Sequence, residues 1–252
     1  MKRLLQGGVL GITLWFFFLA CDNAAEKQNS NIQEKVEEES KPYKPKKDQK
    51  TTNLPAQLVD VQSINPDIQI DLKYRTTDNF LKQRLYFSID RAYLQQDVAT
   101  RLAKVQNALT KLKPGYHLLI FDALRPVSVQ EKMWNALDTI VPVERAKFVS
   151  NPKNRSLHNF GAAVDLSITD ENGKLLDMGA GFDDIRKIAY PCLEDSFSRA
   201  GLLTTQQLSN RLLLRKLMQS QGFRQLPTEW WHYNACSRVE AKQKYQEVLQ
   251  EP

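Results

Sequence analysis

The sequence is short of the residues that most often hold metals. Its 252 residues include three histidines and three cysteines. No apolar run reaches the ~20 residues that a comfortable membrane-spanning helix needs. No run of lysine and arginine is interleaved with aromatics. The formal net charge is +6, and setting aside Lys2 and Arg3 of the leader leaves about +4, which excludes nucleic acid as the expected partner. No internal repeat is visible.

What is present begins with an export pattern. Lys2 and Arg3 precede the almost wholly apolar stretch Leu10 to Ala20. That stretch has the length of a signal-peptide core. It ends in Phe18-Leu19-Ala20-Cys21, which resembles a bacterial lipobox, with lipid carried on Cys21. An ordinary cleaved leader with an unmodified Cys21 is the other reading. Residues 1–20 are therefore expected as a signal peptide and 21–53 as a lipidated cysteine followed by a disordered tether. That tether is rich in Glu and Lys and has too little apolar surface to order itself. The implied location is the periplasmic side of the cell envelope, with membrane contact only through the lipid. Cys192 and Cys236 remain for pairing in an oxidising compartment, or they pack as two small hydrophobes.

The folded part, 54–252, mixes helical and strand patterns. Leu94, Val98, Leu102, Val105, Leu109 and Leu112 recur at helical spacing, with Asp90 as a candidate cap and Pro114-Gly115 as a stop. Tyr116 to Phe121 reads as a buried strand ending at Asp122. A second helix is expected over 128–137, and a polar loop over 141–155. Ala162 to Ile168 reads as a strand, Asn172-Gly173 as a hairpin turn, and Leu175 to Met178 as the return strand. Leu208 to Met218 marks a third helix, ended by Gly222. A short strand covers Trp230 to Tyr233, and Ser237 with Glu240 forms a capping box for a last helix. The pattern is α+β, a small, mostly antiparallel sheet packed by helices.

His158 precedes a strand and Asp165 lies inside it, where an ionisable group needs a partner. His232 sits among aromatics near the other end of the domain. Two histidines and one carboxylate with an open position suit a catalytic metal. Taken singly, His232 also reads as a hydrogen-bonded core histidine and Asp165 as half of a buried ion pair. Spacing alone does not join the three. His117, alternating within its strand, reads as structural.

Five blocks add a resemblance. SLHNFGAAVD (156–165) and EWWHY (229–233) resemble the SxHxxGxAxD and ExxH signatures of a zinc peptidase family. DALRP (122–126), YRTTDNF (74–80) and DMGAGFD (177–183) resemble blocks of its D-alanyl-D-alanine dipeptidase branch. The resemblance implies the zinc D,D-peptidase (hedgehog-like) fold and one Zn2+ held by His158, Asp165 and His232. It implies Glu229 as general base and Arg125 as the group that stabilises an oxyanion. It implies Asp183 as partner of the substrate ammonium, with Tyr74 and Ser156 lining the pocket and Ser156 near the substrate carboxylate. The implied substrate is the small dipeptide D-Ala-D-Ala, hydrolysed in cell-wall turnover. A peptidoglycan D,D-carboxypeptidase is the enzyme alternative, and a non-catalytic zinc-binding module the alternative of another class. For Arg125 the competing role is an ion pair with Asp122 or Asp183. Glu229 and His232 are three residues apart, so a regular strand would point them to opposite faces; irregular backbone is expected there.

Overall fold

The computed structural model describes residues 55 and 57–252. The signal peptide, the lipidated Cys21 and the tether expected over 1–53 lie outside the described residues. Strand β1 (Leu58–Asp60) leads into a short helix α1 (Val61–Ile64), capped by the Asp60 carboxylate, which accepts from Gln62 N at 3.0 Å. β2 (Gln69–Ile70) follows, then β3 (Tyr93–Gln95) and helix α2 (Gln96–Leu112). Here the expected helix start moves. Leu94 belongs to β3, paired antiparallel with Val59 of β1, and α2 begins six residues after Asp90. Leu94 is fully buried, as a core-facing residue of a first helical turn would also be expected to be, so its spacing to Val98 could not tell a strand end from a helix start.

β4 (His117–Asp122) and helix α3 (Val127–Ala136) fall where expected. Over 141–155, expected as loop, the chain forms a short helix α4 (Pro142–Arg145) and a 3-10 turn (Pro152–Asn154). A proline at the first helical position starts each, because its missing N–H is unneeded there. β5 (Ala163–Thr169) is buried along its whole length. Helices α5 (Glu194–Arg199) and α6 (Thr205–Ser220) precede β6 (Arg224–Leu226), β7 (Glu229–Asn234) and helix α7 (Arg238–Lys244). The Ser237–Glu240 capping box is formed, and Gly222, at φ 77°, ends the α6 turn.

The Asn172-Gly173 turn closes, with Gly173 N donating to Asp170 O at 2.9 Å. The return strand does not form. One bridge, Thr169 to Leu175, is followed by a single bond from Leu176 N to Ile168 O. The chain then leaves the sheet because α6 captures it: Asn210 Nδ2 donates to Asp177 O and Gln207 Nε2 to Asp177 Oδ2, both at 2.8 Å.

The main sheet has the order β2-β4-β5-β7-β6, with only the β2–β4 pair parallel. This is the mostly antiparallel α+β arrangement the sequence predicts. β2 is too short to pair all of β4, and α2 makes up the difference. Buried Gln106 accepts from Leu118 N at 2.7 Å and donates to Tyr116 O at 3.0 Å. Cys192 and Cys236 are free thiols, the first exposed and the second buried.

Gly161 marks where the chain turns into β5. Its φ is 62°, and an added Cβ would stand 2.5 Å from Leu58 Cδ2. Gly161→Ala is expected to lower stability by about 2 kcal/mol, since an L-residue in the left-handed region costs ~1–2 kcal/mol before Leu58 shifts. Urea unfolding monitored by tryptophan fluorescence measures this; a loss under a few tenths would contradict the strain.

Candidate active site

Three features of the sheet assemble the site. The first is register. Asp165 of β5 and His232 of β7 are direct cross-strand partners. His232 Nδ1 thereby lies 2.9 Å from Asp165 Oδ1. The second is a bulge in β4. Ile120 faces Leu166, but Asp122 faces Asp165, so Phe121 is the extra residue. The third is an irregularity in β7: Gln225 pairs with Tyr233 while the next residue, Leu226, pairs with Glu229, leaving Trp230–His232 without a register partner in β6. The backbone at Trp230–His232 is irregular, as expected, and this lets Glu229 turn toward the same centre. Its Oε2 is 3.8 Å from His232 Nδ1. Trp230 and Trp231 pack edge to face at 5.6 Å and are buried.

His158 comes from a 3-10 turn (Leu157–Phe160) that Ser156 and Asn159 cap reciprocally. That turn is zipped to the segment after β4. Arg125 N donates to His158 O at 3.1 Å, and Asn159 Nδ2 donates to Arg125 O at 2.7 Å. His158 Nδ1 sits 2.6 Å from Ala123 O, and His232 Nε2 sits 2.9 Å from Asn234 Oδ1. Both acceptors require a protonated nitrogen, so the lone pairs fall on His158 Nε2 and His232 Nδ1. Those two atoms are 3.2 Å apart, and His158 Nε2 is 3.4 Å from Asp165 Oδ1. Once His232 Nδ1 gives up the proton it shares with Asp165, two lone-pair nitrogens and a carboxylate oxygen converge on one point. Ligands of one tetrahedral cation at ~2.0–2.1 Å are separated by about 3.3 Å. Among the described residues, His158, Asp165 and His232 form the group whose donor atoms all lie within 4.8 Å of one another. The donor set fits a cation such as zinc.

Arg125 is ion-paired with Asp122, not Asp183. Nε and Nη2 lie 2.8 and 2.5 Å from Asp122 Oδ2. Tyr86 OH donates to Asp122 Oδ1 at 2.5 Å, which completes that fully buried carboxylate. The pairing does not withdraw Arg125 from the site. Its Nη2 is 3.5 Å from Asp165 Oδ2, its Cζ is 5.1 Å from the Tyr74 ring centroid, and it lines the cavity. Tyr74 OH lies 3.1 Å from both oxygens of Asp183. Asp183 itself has φ 61°, uncommon outside glycine.

All eight residues expected in the site, Ser156 included, line one cavity of about 340 Å³. Sequence reasoning missed its supports: Asn234 behind His232, Tyr86 behind Asp122, and the Ala123 carbonyl. Asn234 was within reach, because two residues along a strand share a face. His117 is structural, its Nδ1 2.8 Å from Asp67 O.

The charges bias one another. Burial opposes ionisation of Asp165, but His158 and His232 hold its carboxyl well below the usual range. Burial disfavours the charged form of His232, yet Asp165 prevails and raises it to about 9. Burial pushes Glu229 up, opposed by His232 and reinforced by Asp165. Asp183 is pushed well up by burial and by Asp165, with Arg125 and the Tyr74 hydroxyl opposing. It is an acid waiting for a cation.

Residues 55–251 match the family described as D-ala-D-ala dipeptidase. A D-alanyl-D-alanine dipeptidase of Escherichia coli is 37% identical over 180 residues, 70% of this chain and 83% of that one. One from Enterococcus faecalis is 31% identical, covering 66% of this chain and 85% of its own. One from Synechocystis is 28% identical, covering 60% and 72%. The chain belongs to the D-Ala-D-Ala dipeptidase family.

Proposed function

We propose that the protein hydrolyses D-Ala-D-Ala to two D-alanines, using zinc held by His158, Asp165 and His232. The observation that carries this reading is the placement of Asp183. A half-buried acid, held by the Tyr74 hydroxyl, shares a 340 Å³ cavity with the three metal-ligand candidates. A dipeptide has a free ammonium on the same residue as its scissile carbonyl; a long stem peptide does not. Without that ammonium Asp183 keeps only the Tyr74 hydroxyl and burial drives it toward its neutral form, so the site favours the free dipeptide.

The bound cation supplies Lewis acidity, polarising the carbonyl and acidifying water. Glu229 accepts the proton of the attacking water as its oxygen bonds to the carbonyl carbon. It then delivers that proton to the amide nitrogen as the C–N bond breaks. Arg125, fixed by Asp122, presents positive charge to the oxygen that becomes anionic. Ser156 offers its hydroxyl to the carboxylate end. A non-catalytic module would have no need to keep Glu229 and Arg125 in this cavity.

The leader and Cys21 support a lipid-anchored enzyme on the periplasmic side of the cell envelope, with residues 21–53 as tether and 54–252 as catalytic domain. There it would act on dipeptide released from the wall. A panel of D-Ala-D-Ala, L-Ala-L-Ala and N-acetyl-D-Ala-D-Ala, run with and without chelator, tests the activity. Cleavage of the free D,D-dipeptide alone, lost with chelator, is expected. Equal cleavage of the acetylated compound would favour a D,D-carboxypeptidase.

A further inference from the structure

Helix α6 reaches the segment that carries Asp183 through successive turns. Gln207 and Asn210 hold Asp177, as described. Arg211 goes further. Its side chain is fully buried, Nε donates to Met178 O at 2.6 Å, and Nη2 donates to Ile188 O at 2.9 Å. These carbonyls stand at the two ends of the stretch that contains Phe182 and Asp183. One guanidinium therefore closes that stretch into a loop. A planar fork holds two carbonyls at a fixed separation and direction, which the compact, freely rotating ammonium of a lysine does not. Between the two clasped carbonyls the loop includes Gly181, where an added Cβ would meet nothing within 4 Å, and Asp183 at φ 61°. A left-handed aspartate persists only when its surroundings hold it. The Tyr74 hydroxyl and the Phe182 ring, packed 5.0 Å from Phe121 and 5.6 Å from Trp231, hold it from the cavity side. Arg211 holds it from behind.

The charge of Arg211 is met by buried Glu194, 3.4 Å from Nη1, whose other oxygen takes Arg215 Nη2 at 2.6 Å. Arg215 in turn bonds Gln225, which donates to Trp230 O at 2.6 Å. The two arginines share one carboxylate and serve different parts of the site, Arg211 the Asp183 loop and Arg215 the β7 irregularity.

We propose that Arg211 is a positioning residue for substrate selection: by clasping Met178 O and Ile188 O it fixes Asp183 against the amino end of the substrate. This rests on the reading of Asp183 as the ammonium partner. It assigns Arg211 a role in affinity for one end of the dipeptide and none in the chemical step.

The test compares Arg211→Lys with Arg215→Gln, each as the full zinc-loaded chain. Arg211→Lys keeps a charge beside Glu194, and so folds where a neutral variant could fail. For Arg211→Lys, KM for D-Ala-D-Ala is expected to rise roughly tenfold, the scale of one charge-assisted hydrogen bond misplaced. Its kcat and bound zinc per chain stay near wild type. The Ki of N-acetyl-D-Ala-D-Ala as competitor does not change, so discrimination between free and blocked amine falls by the same factor. Arg215→Gln, which also disturbs Glu194, keeps the wild-type ratio. The proposal is overturned if Arg211→Lys leaves the ratio intact, or if Arg215→Gln lowers it equally, since the cluster would then act through stability alone. A wild-type protein that does not cleave D-Ala-D-Ala fails at an earlier point, on the proposed function itself.

Discussion

Glu229→Gln is expected to lower kcat for D-Ala-D-Ala by about 10³-fold, within the range that a positioned general base contributes, while KM and bound zinc stay close to wild type. The substitution keeps the shape of the side chain and removes its ability to take a proton. Glu229 is suited to that task by its surroundings. Burial raises its proton affinity above that of an ordinary carboxyl, with Asp165 adding and His232 opposing. A base so placed works closer to neutral pH and accepts a proton more readily in the transition state. The sign follows directly: the base acts only when ionised, so kcat/KM rises with pH through the Glu229 pKa. Burial moves that acidic limb up and a bound cation moves it down, and the residual activity of Glu229→Gln should lack it. A variant retaining a tenth or more of wild-type kcat would remove Glu229 from the role of base.

That the proposed base and a metal-ligand candidate lie three residues apart on one strand was an obstacle in the sequence and became a structural finding. The β6–β7 register slips between Gln225 and Leu226. Gln225 repairs the slip, bonding the Trp230 carbonyl at 2.6 Å and the Tyr233 hydroxyl at 2.9 Å. No local pattern predicts which residue of the neighbouring strand will do this. The existence of an irregularity was legible because the chemistry demanded one; its support was not.

The same division runs through the fold. Strands β4 and β5 and helices α3 and α6 were legible because each buries a clear face. β3 was not: it is three residues long and runs straight into α2, so the helical spacing absorbed it. The expected return strand at 175–178 failed because a distant helix, α6, competes for Asp177. Local pattern carries no trace of that long-range competition. Within the site, six of the eight residues named from sequence converge because their motifs mark neighbouring sheet strands and the turn before β5, while Tyr74 comes from a 3-10 turn (Lys73–Arg75) and Asp183 from the loop that α6 clasps. Arg125 shows the limit. Both readings of it, structural pair and cavity-lining cation, hold at once, since Asp122 binds one edge of the guanidinium while the cavity takes another part. Residue type alone could not have divided a single side chain between two tasks.

The second large effect concerns the cation. His158→Ala is expected to weaken zinc binding by more than the roughly 10–100-fold that loss of a hydrogen-bonding support costs, and to abolish hydrolysis at stoichiometric zinc. Competition with a fluorescent chelator measures the affinity. The reason lies in how rigidly the lone pair of His158 is aimed. Its Nδ1 is committed to Ala123 O, its turn is capped by Ser156 and Asn159, and its ring stands edge-on to His232 with centroids 5.0 Å apart. The pH dependence should survive the substitution. Burial opposes a charged His232, but Asp165 raises it from 6.5 to about 9, so without metal its Nδ1 binds a proton at neutral pH. The stability that this proton confers is present below pH 6.5 and is lost as pH passes about 9. Zinc must displace it, so apparent affinity climbs about tenfold per pH unit for one proton released, flattening above about 9. His158→Ala leaves the Asp165–His232 pair in place and should shift that curve downward with its slope kept. A variant that binds zinc as tightly as wild type would mean that His158 is not a ligand. A wild-type affinity independent of pH between 6.5 and 9 would mean that His232 is not one.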